Sequence, residues 1–473
     1  MDSRLLRHTA GYFVARGGAG ALALAAIAIY SRLLPPAEYG RYALMMAGVT
    51  LINGIVFQWL SVSLLRFFPA NRGNSRPLLM TVVAGYAAAA TLTGAAGLAL
   101  AIVWPDPTWR GLILLAVPLL WTLAWFDLAL GLVRIQLRLV QYGLMAWLKA
   151  GTALGLGVLL VNVGMGSSGP LLGIALGALL AGFVGRRDWH GIRPRVDPSL
   201  ARQLLRYGLP LTAAFALDFV VSTSDRLLIA WKLGEGPAGV YSASYDLGLQ
   251  SLGLLMMIVT LAAYPLVVRA LETDGEEEAR VQLRQNATLL LGVALPAGVG
   301  IAMLAPNIAR VFLGTGFREQ GTLILPWIAL AAMLAGVKAW HFDIAFHLGR
   351  NTLGQAWVSG VAAVANLVLN LWWIPSLGLL GAALATVVAY SVALVMSIGL
   401  GRRSFRVPFP TVDTGKIILA AALMAVVLSP LAGLQGSKAL VLQVLVGGAT
   451  YGLAVVGLDV GQSRTKLSIL LRR

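Results

Sequence analysis

The sequence predicts an all-α, polytopic membrane protein with about fourteen transmembrane helices. Of its 473 residues, 58% are hydrophobic and 12% are charged, and the charged share is about half that of globular proteins. Mean hydropathy is +0.81. Apolar stretches of roughly 20 residues, the length that crosses a bilayer as a helix, recur from residue 11 to residue 458. The alternating ten-residue pattern of a membrane β-barrel is absent from the sequence. This composition excludes an ordinary soluble enzyme.

Mostly short connections separate the apolar stretches, and each stretch is long enough to form its own helix. The N-terminal stretch continues to about residue 33 without a cleavage signal, and we expect an uncleaved first helix there. The expected spans lie near 11–33, 41–68, 77–103, 111–133, 143–163, 169–185, 207–231, 239–268, 286–305, 321–347, 353–373, 378–400, 416–433 and 438–458.

One long polar connection, residues 186–203, separates two halves of the chain. We therefore expect an N-terminal lobe of six spans over 1–185 and a basic cytoplasmic linker over 186–206. A C-terminal lobe of six spans follows over 207–400, and 401–473 holds spans 13 and 14 with a basic cytoplasmic tail.

The distribution of cations predicts the orientation. Most of the 36 lysines and arginines fall in connections on one side of the membrane, which also receives both termini. Cytoplasmic loops are enriched in these residues, so we expect both termini in the cytoplasm. This topology explains most of the formal net charge of +17 without a nucleic-acid partner.

Apart from cations within one residue of a span end, ten charged residues fall inside the expected spans, where charge is expensive and marks cavities or partners. Arg16 and Arg226 are candidates to bind a phosphate. The alternative for Arg16 is that its side chain extends to the cytoplasmic lipid headgroups. The same two alternatives hold for Arg66 and Lys149, near span ends, where Asp127 is a possible structural partner for Arg66 or Arg134. The candidate cationic substrate site is Arg16, Arg66, Lys149, Arg226 and Lys338.

Intramembrane acids and a histidine are candidates for ion or proton coupling. Asp218 and Asp225, seven residues apart, share a helix face, and His341 lies three residues after the deep Lys338. The alternative is that these groups make interhelical hydrogen bonds and ion pairs. The candidate coupling residues are Asp218, Asp225, His341 and Asp343.

Catalytic motifs are missing from the sequence. It contains no cysteine, no Walker A sequence and no histidine spacing typical of metal ligands. We therefore expect no enzyme activity, no metal site and no cofactor. Small residues such as Gly173 and Gly177 predict close helix packing instead.

One motif occurs twice, once early in each half. Residues 31–44 read SRLLPPAEYGRYAL, and residues 222–247 read STSDRLLIAWKLGEGPAGVYSASYDL. Each has a cation, a Pro-containing turn and then Gly-x-Tyr. We interpret Arg32, Arg41 and Lys232 as interfacial anchors, and the Gly-x-Tyr elements as parts of the two turns.

These two motifs, with the length and the span count, resemble the polysaccharide-biosynthesis (O-antigen-type) flippases of the multidrug/oligosaccharidyl-lipid/polysaccharide exporter superfamily. The resemblance implies two pseudo-symmetric lobes around a central cavity. It also implies transport of a polyprenyl-pyrophosphate-linked oligosaccharide from the cytoplasmic to the periplasmic leaflet of the bacterial inner membrane by alternating access. Polysaccharide polymerase and export proteins are the partners it implies.

Related families supply the alternatives. In lipid II flippases, cavity arginines occupy spans that broadly correspond to those of Arg16, Arg66 and Arg226. Ion-coupled multidrug antiporters usually depend on an acid in the N-terminal lobe, and expected spans one to three contain none. A polytopic enzyme or a structural membrane subunit is the remaining alternative.

Overall fold

The computed structural model describes residues 3–349 and 351–464. Side-chain environments are described for residues 17–464 except 72, 210, 211, 213–216, 218, 258, 260–265, 350 and 352. No strand occurs in this described part of the chain, and the prediction of an all-α protein is confirmed.

The chain divides into two compact units, Met1–Ala230 and Trp231–Arg473, and the boundary falls near the end of one helix. The first unit contains the helices α1 (Ser3–Leu33), α2 (Pro36–Val56), α3 (Gln58–Phe67), α4 (Arg76–Val103), α5 (Pro107–Ile135), α6 (Leu139–Leu160), α7 (Ser168–Val184) and most of α8 (Pro198–Leu233).

The second unit follows the same all-helical plan. Its helices are α9 (Glu235–Thr273), α10 (Glu276–Met303), α11 (Ala305–Phe312), α12 (Arg318–Val337), α13 (Ile344–Leu348), α14 (Thr352–Leu377), α15 (Leu379–Gly401), α16 (Thr411–Leu428) and α17 (Ser437–Gly457).

Every expected span falls on a helix or on a helix with a short break. Within the described residues, nine helices are long and apolar enough to cross a membrane. Helices α2 and α3, bent by 45° at their junction, make a tenth if they form one span. Large apolar side chains such as Ile102, Val395 and Leu453 are exposed on these helices, as expected for surfaces that face lipid. The protein is a multi-pass membrane protein, and the number fourteen stays a prediction.

Two single turns of π-helix, in which a carbonyl accepts from the amide five residues on, follow α-helices of this fold. One turn, Val161–Met165, ends α6, and the other, Lys338–Phe342, lies between α12 and α13. The amide of Asp343 donates to the carbonyl of Lys338 at 2.8 Å. Such turns shift the register of all later side chains and occur often at functional sites.

Glycines allow α6 and α7 to approach at backbone distance. A Cβ atom built on Gly173 would lie 2.6 Å from the Ala153 carbonyl oxygen and from the Gly157 nitrogen. One built on Gly177 would lie 2.8 Å from the Lys149 carbonyl oxygen. The prediction that these two glycines mediate helix packing is confirmed.

The two Gly-x-Tyr elements lie inside helices, and the expectation that they form turns is wrong. Helix α2 begins at Pro36, and α9 begins at Glu235 after Gly234, whose φ of 97° ends the preceding helix. Proline at an N-terminal helical position and glycine between helices place each helix start before the motif.

The tyrosines of the two elements pack against neighbouring aromatic rings. Tyr42 is half-buried, and its ring meets that of Tyr39 edge-on with centroids 5.6 Å apart. Tyr241 is buried, and its ring stacks on that of Tyr245 with centroids 5.7 Å apart. Two of the expected anchors also have neighbours. Arg41 pairs with Glu38 at 3.0 Å, and the Lys232 ammonium lies 3.6 Å from the Trp231 ring centroid.

Candidate functional site

The first unit contains a polar cluster within its membrane-length helices. Asn53 of α2 donates from Nδ2 to Oδ2 of Asp127 on α5 at 3.1 Å, and Asp127 interacts electrostatically with Lys149 on α6. The Lys149 ammonium also lies 4.4 Å from the centroid of the Phe126 ring. The partners of Asp127 are thus Asn53 and Lys149, where the sequence suggested Arg66 or Arg134. A cation, an acid and an aromatic face meet here.

Arg66 is exposed near the end of α3, and its side chain makes no ion pair with another described residue. The helix beneath it is held firmly against α8. Ser63 donates to the Leu204 carbonyl at 3.0 Å, and the rings of Phe67 and Tyr207 meet edge-on at 5.4 Å. A Cβ atom on Gly208 would lie 2.8 Å from the Trp59 carbonyl oxygen. Arg66 therefore projects from a helix that packs closely against α8.

Of the other candidate residues in the first unit, the structure describes the side chains of some and not of others. Asp225 is fully buried and the neighbouring Arg226 is half-buried, and both interact with other groups. The backbone of Arg16 lies in α1, but its side chain is outside the described residues, as is that of Asp218. Their roles stay predictions.

The second unit contains a buried ion pair. Lys338 Nζ lies 2.7 Å from Oδ2 of Asp343, and Ser397 on α15 donates to Oδ1 of the same carboxylate at 2.7 Å. All three side chains are buried. Asp343 neutralises Lys338, so less of the lysine's charge is offered to a ligand than at Arg66. Periodicity grouped Lys338 with His341, but the π-turn brings Lys338 to Asp343.

His341 is buried beside this pair and holds a loop in place. Its Nε2 lies 3.1 Å from the Pro408 carbonyl oxygen, so that nitrogen donates the hydrogen bond. The imidazole also meets the Phe342 ring edge-on, with centroids 4.8 Å apart. This geometry links the end of α12 to the segment before α16.

Sequence reasoning missed several uncharged polar partners. Asn53 and Ser397 complete the two charged clusters. In the second unit, Asn370 donates to Asn366 at 2.9 Å, and Asn366 donates to Thr386 on α15 at 3.4 Å. These three are buried in membrane-length helices. The sequence analysis considered only charged residues and histidine inside the spans. Asparagine or threonine within an apolar stretch is the sequence signal that would have found these partners.

The fold defines the class: a polytopic, all-helical membrane protein whose fold is that of several solved membrane transporters. A solved structure of the lipid II flippase MurJ, in an inward closed conformation, superposes with a TM-score of 0.79. The match covers 95% of this chain and 98% of that one at 15% identity, which establishes the fold alone.

Residues 29–320 match the sequence pattern of a protein family described as polysaccharide biosynthesis protein. The chain belongs to this family. That confirms the resemblance carried by the two repeated motifs.

Two curated relatives agree with this assignment. A probable low-salt glycan biosynthesis flippase of Haloferax volcanii is 23% identical over 334 residues, or 68% of this chain and 67% of the relative. The lipopolysaccharide biosynthesis protein WzxC of Escherichia coli is 26% identical over 173 residues, or 36% of this chain and 33% of the relative. The chain thus spans between about a third and two thirds of these relatives.

Proposed function

We propose that this protein moves a polyprenyl-pyrophosphate-linked oligosaccharide from the cytoplasmic to the periplasmic leaflet of the bacterial inner membrane. The observation that carries this proposal is the family match over residues 29–320, which spans the helices that hold Arg66, Lys149 and Arg226. The product of such transport is a building block for surface polysaccharide.

The physical task is to carry a diphosphate through hydrocarbon. Charge at the bilayer centre is costly, so a headgroup crosses only where cations replace its hydration. Arg66 offers an exposed guanidinium, and Lys149 offers an ammonium whose charge is partly balanced by Asp127. The polyprenyl chain is apolar and remains in lipid. A cationic cavity that opens to each side in turn completes the cycle, as in other transporters.

The roles of the remaining candidates follow from the same scheme. Arg16, Arg226 and Lys338 extend the cationic site, and Asp218, Asp225, His341 and Asp343 couple the cycle to an ion or proton gradient. The activity is translocation, with no chemical reaction and no cofactor. Both termini lie in the cytoplasm, where the basic connections collect. Polysaccharide polymerase and export proteins act on the transported product.

Deletion of the gene tests the cargo. We expect a lipid-linked sugar to accumulate in the cytoplasmic leaflet and surface polysaccharide to be lost, with unchanged susceptibility to drugs. Normal export in the deletion strain removes the proposal. Drug sensitivity without a glycan defect favours a multidrug antiporter, and accumulation of lipid II favours the peptidoglycan-precursor alternative.

Substitution tests the site. Arg66→Gln and Arg226→Gln together are expected to reduce translocation of the lipid-linked sugar at least about ten-fold, because each removes a charged contact to phosphate. Arg269→Gln, an exposed arginine near the end of α9, is the matched control and retains activity. Protein level is measured by immunoblot. Full transport by the double variant at normal protein level contradicts the cationic site.

A further inference from the structure

An arginine-lined cavity lies in the second unit, beside the segment whose Pro408 carbonyl contacts His341. Its volume is about 400 Å³, and its lining residues are Arg280, Arg402, Arg406, Val407 and Pro408. Arg280 belongs to the first turns of α10, and the other four follow the end of α15 and precede α16. Three arginines therefore converge where membrane-length helices begin and end, the level of lipid headgroups.

The acids near this cavity leave positive charge uncompensated. Arg280 pairs with Glu276 at 2.6 Å and with Glu277 at 3.3 Å, while its buried Nε has no hydrogen-bond partner in the part of the chain that the structure describes. Arg402 and Arg406 are exposed, and their side chains form no ion pair with another described residue. Because Arg402 and Arg406 line one cavity without counter-ions among the described residues, they favour binding of an anion.

The neighbouring acid on α16 is already engaged. Asp413 accepts from the Thr288 hydroxyl at 3.3 Å and from the Gly461 amide at 3.1 Å. Lys416 donates to the Asp459 carbonyl at 3.0 Å. The charge available to a ligand is thus concentrated on Arg402 and Arg406.

A second cavity adjoins the first and is almost entirely apolar. It has a volume of about 510 Å³ and shares Arg402 and Val407 with the arginine-lined cavity. Leu394, Ile398 and Ile418 are among the side chains that line it. Both volumes lie in the range of about 300–1,000 Å³ typical of small-molecule sites. A cationic chamber opening beside an apolar one matches a ligand with a phosphate at one end and a hydrocarbon chain at the other.

We infer that the arginine-lined cavity and the adjoining apolar cavity together bind a phosphate-bearing membrane lipid, with its phosphate between Arg402 and Arg406 and its chain against Ile398 and Ile418. The planar guanidinium binds phosphate oxygens in a two-pronged manner, which favours phosphate over a diffuse negative surface. The arginines of this lipid site are not those of the cationic site proposed for transport, and the inference does not depend on the function proposed above.

Native mass spectrometry of the full-length protein in detergent tests the site. The protein is titrated separately with phosphatidylglycerol, with a polyprenyl phosphate, with zwitterionic phosphatidylcholine and with inorganic phosphate. We expect retention of at least one of the two anionic lipids in preference to phosphatidylcholine. Arg402→Gln with Arg406→Gln is expected to weaken that retention about ten-fold or more, as expected for the loss of two charged contacts at a membrane surface.

Matched controls come from adjacent positions. Arg403→Gln removes an equally exposed arginine that lines neither cavity, and it is expected to bind lipid normally. Ile418→Trp narrows the apolar cavity and weakens lipid retention, whereas Leu419→Trp, one residue on and similarly exposed, does not. Unchanged melting temperatures show that the variants are folded.

The proposal is overturned if phosphatidylcholine binds as well as both anionic lipids, or if the double arginine variant retains them as wild type does. Binding of inorganic phosphate without any lipid preference also overturns it, because a soluble anion then occupies the arginines. The two anionic arms identify whether the phosphate comes from a bulk phospholipid or from a polyprenyl carrier.

Discussion

Lys338 and Asp343 form a buried ion pair with an Nζ–Oδ2 distance of 2.7 Å, although they are five residues apart. In a regular α-helix, at 3.6 residues per turn, two such residues point to different sides. The π-turn over Lys338–Phe342 brings them to one face. Ser397 completes the arrangement from α15.

This pair predicts a difference between single and double variants. Lys338→Met leaves the Asp343 carboxylate buried without its counter-ion, and we expect a loss of about 3–5 kcal/mol in stability. Lys338→Met with Asp343→Asn removes both charges, while the new amide still accepts from Ser397. The double variant is expected to regain most of the loss. Thermal unfolding in detergent measures this, and equal destabilisation by the single and double variants argues against the pair.

Variants of the cluster around Lys149 distinguish two roles for this residue, which are binding of the substrate and neutralisation of Asp127. Lys149→Gln leaves Asp127 with only its Asn53 hydrogen bond, and we expect reduced translocation. Asp127→Asn is then added to restore neutrality. If Lys149 contacts the diphosphate, the double variant stays defective, since its cation is still missing. Recovery of leaflet translocation in the double variant shows that Lys149 only balances Asp127. Purified protein yield and melting temperature control for folding.

The close approach of α6 and α7 predicts intolerance of a methyl group. Gly173→Ala places a Cβ atom against the backbone of Ala153 and Gly157, which has no flexible end to move aside. Overpacking of this kind typically destabilises by about 1–3 kcal/mol. Gly155→Ala, on α6 but exposed with open space around it, is expected to be neutral or stabilising by up to about 1 kcal/mol. Melting temperatures of the two variants are compared, and a stable Gly173→Ala protein contradicts the packing.

Asp197 predicts a pH dependence at the start of α8. Its Oδ1 accepts from the Ser199 hydroxyl at 2.6 Å and from the Leu200 amide at 3.2 Å, and these hydrogen bonds lower the pKa of the carboxyl below its ordinary value of 3.8. The ionised cap therefore stabilises the helix fully above about pH 3.8. This stabilisation is lost as the pH falls through the lowered pKa of the folded state.

The readout for Asp197 is amide hydrogen exchange over residues 199–202. We expect protection to fall on acidification in the wild-type protein. Asp197→Asn caps the helix with a group that does not titrate, so its protection is expected to depend less on pH. Asp197→Ala loses protection at every pH. Identical acid profiles for wild type and Asp197→Asn contradict the assignment.

Comparison of particular residues shows where sequence reasoning succeeded. The helices were predictable because a bilayer accepts only spans that satisfy their own backbone hydrogen bonds, and apolar runs report this directly. Gly173 and Gly177 were predictable because small residues at four-residue spacing permit close helix contact. The repeated Gly-x-Tyr elements identified the family, although they proved to be helical, because proline and glycine started the helices earlier than hydropathy suggested.

By itself, the sequence determined the helical membrane class, the positions of the spans and the presence of charge inside them. These properties are local, since hydropathy over 20 residues is enough to decide them. Tertiary structure alone decided which groups meet: Lys338 with Asp343 through a register shift, Asp127 with Asn53 and Lys149, and Arg280 with Arg402 and Arg406. Each of these contacts depends on a break in the helical period or on residues distant in the chain. A local sequence pattern predicts neither.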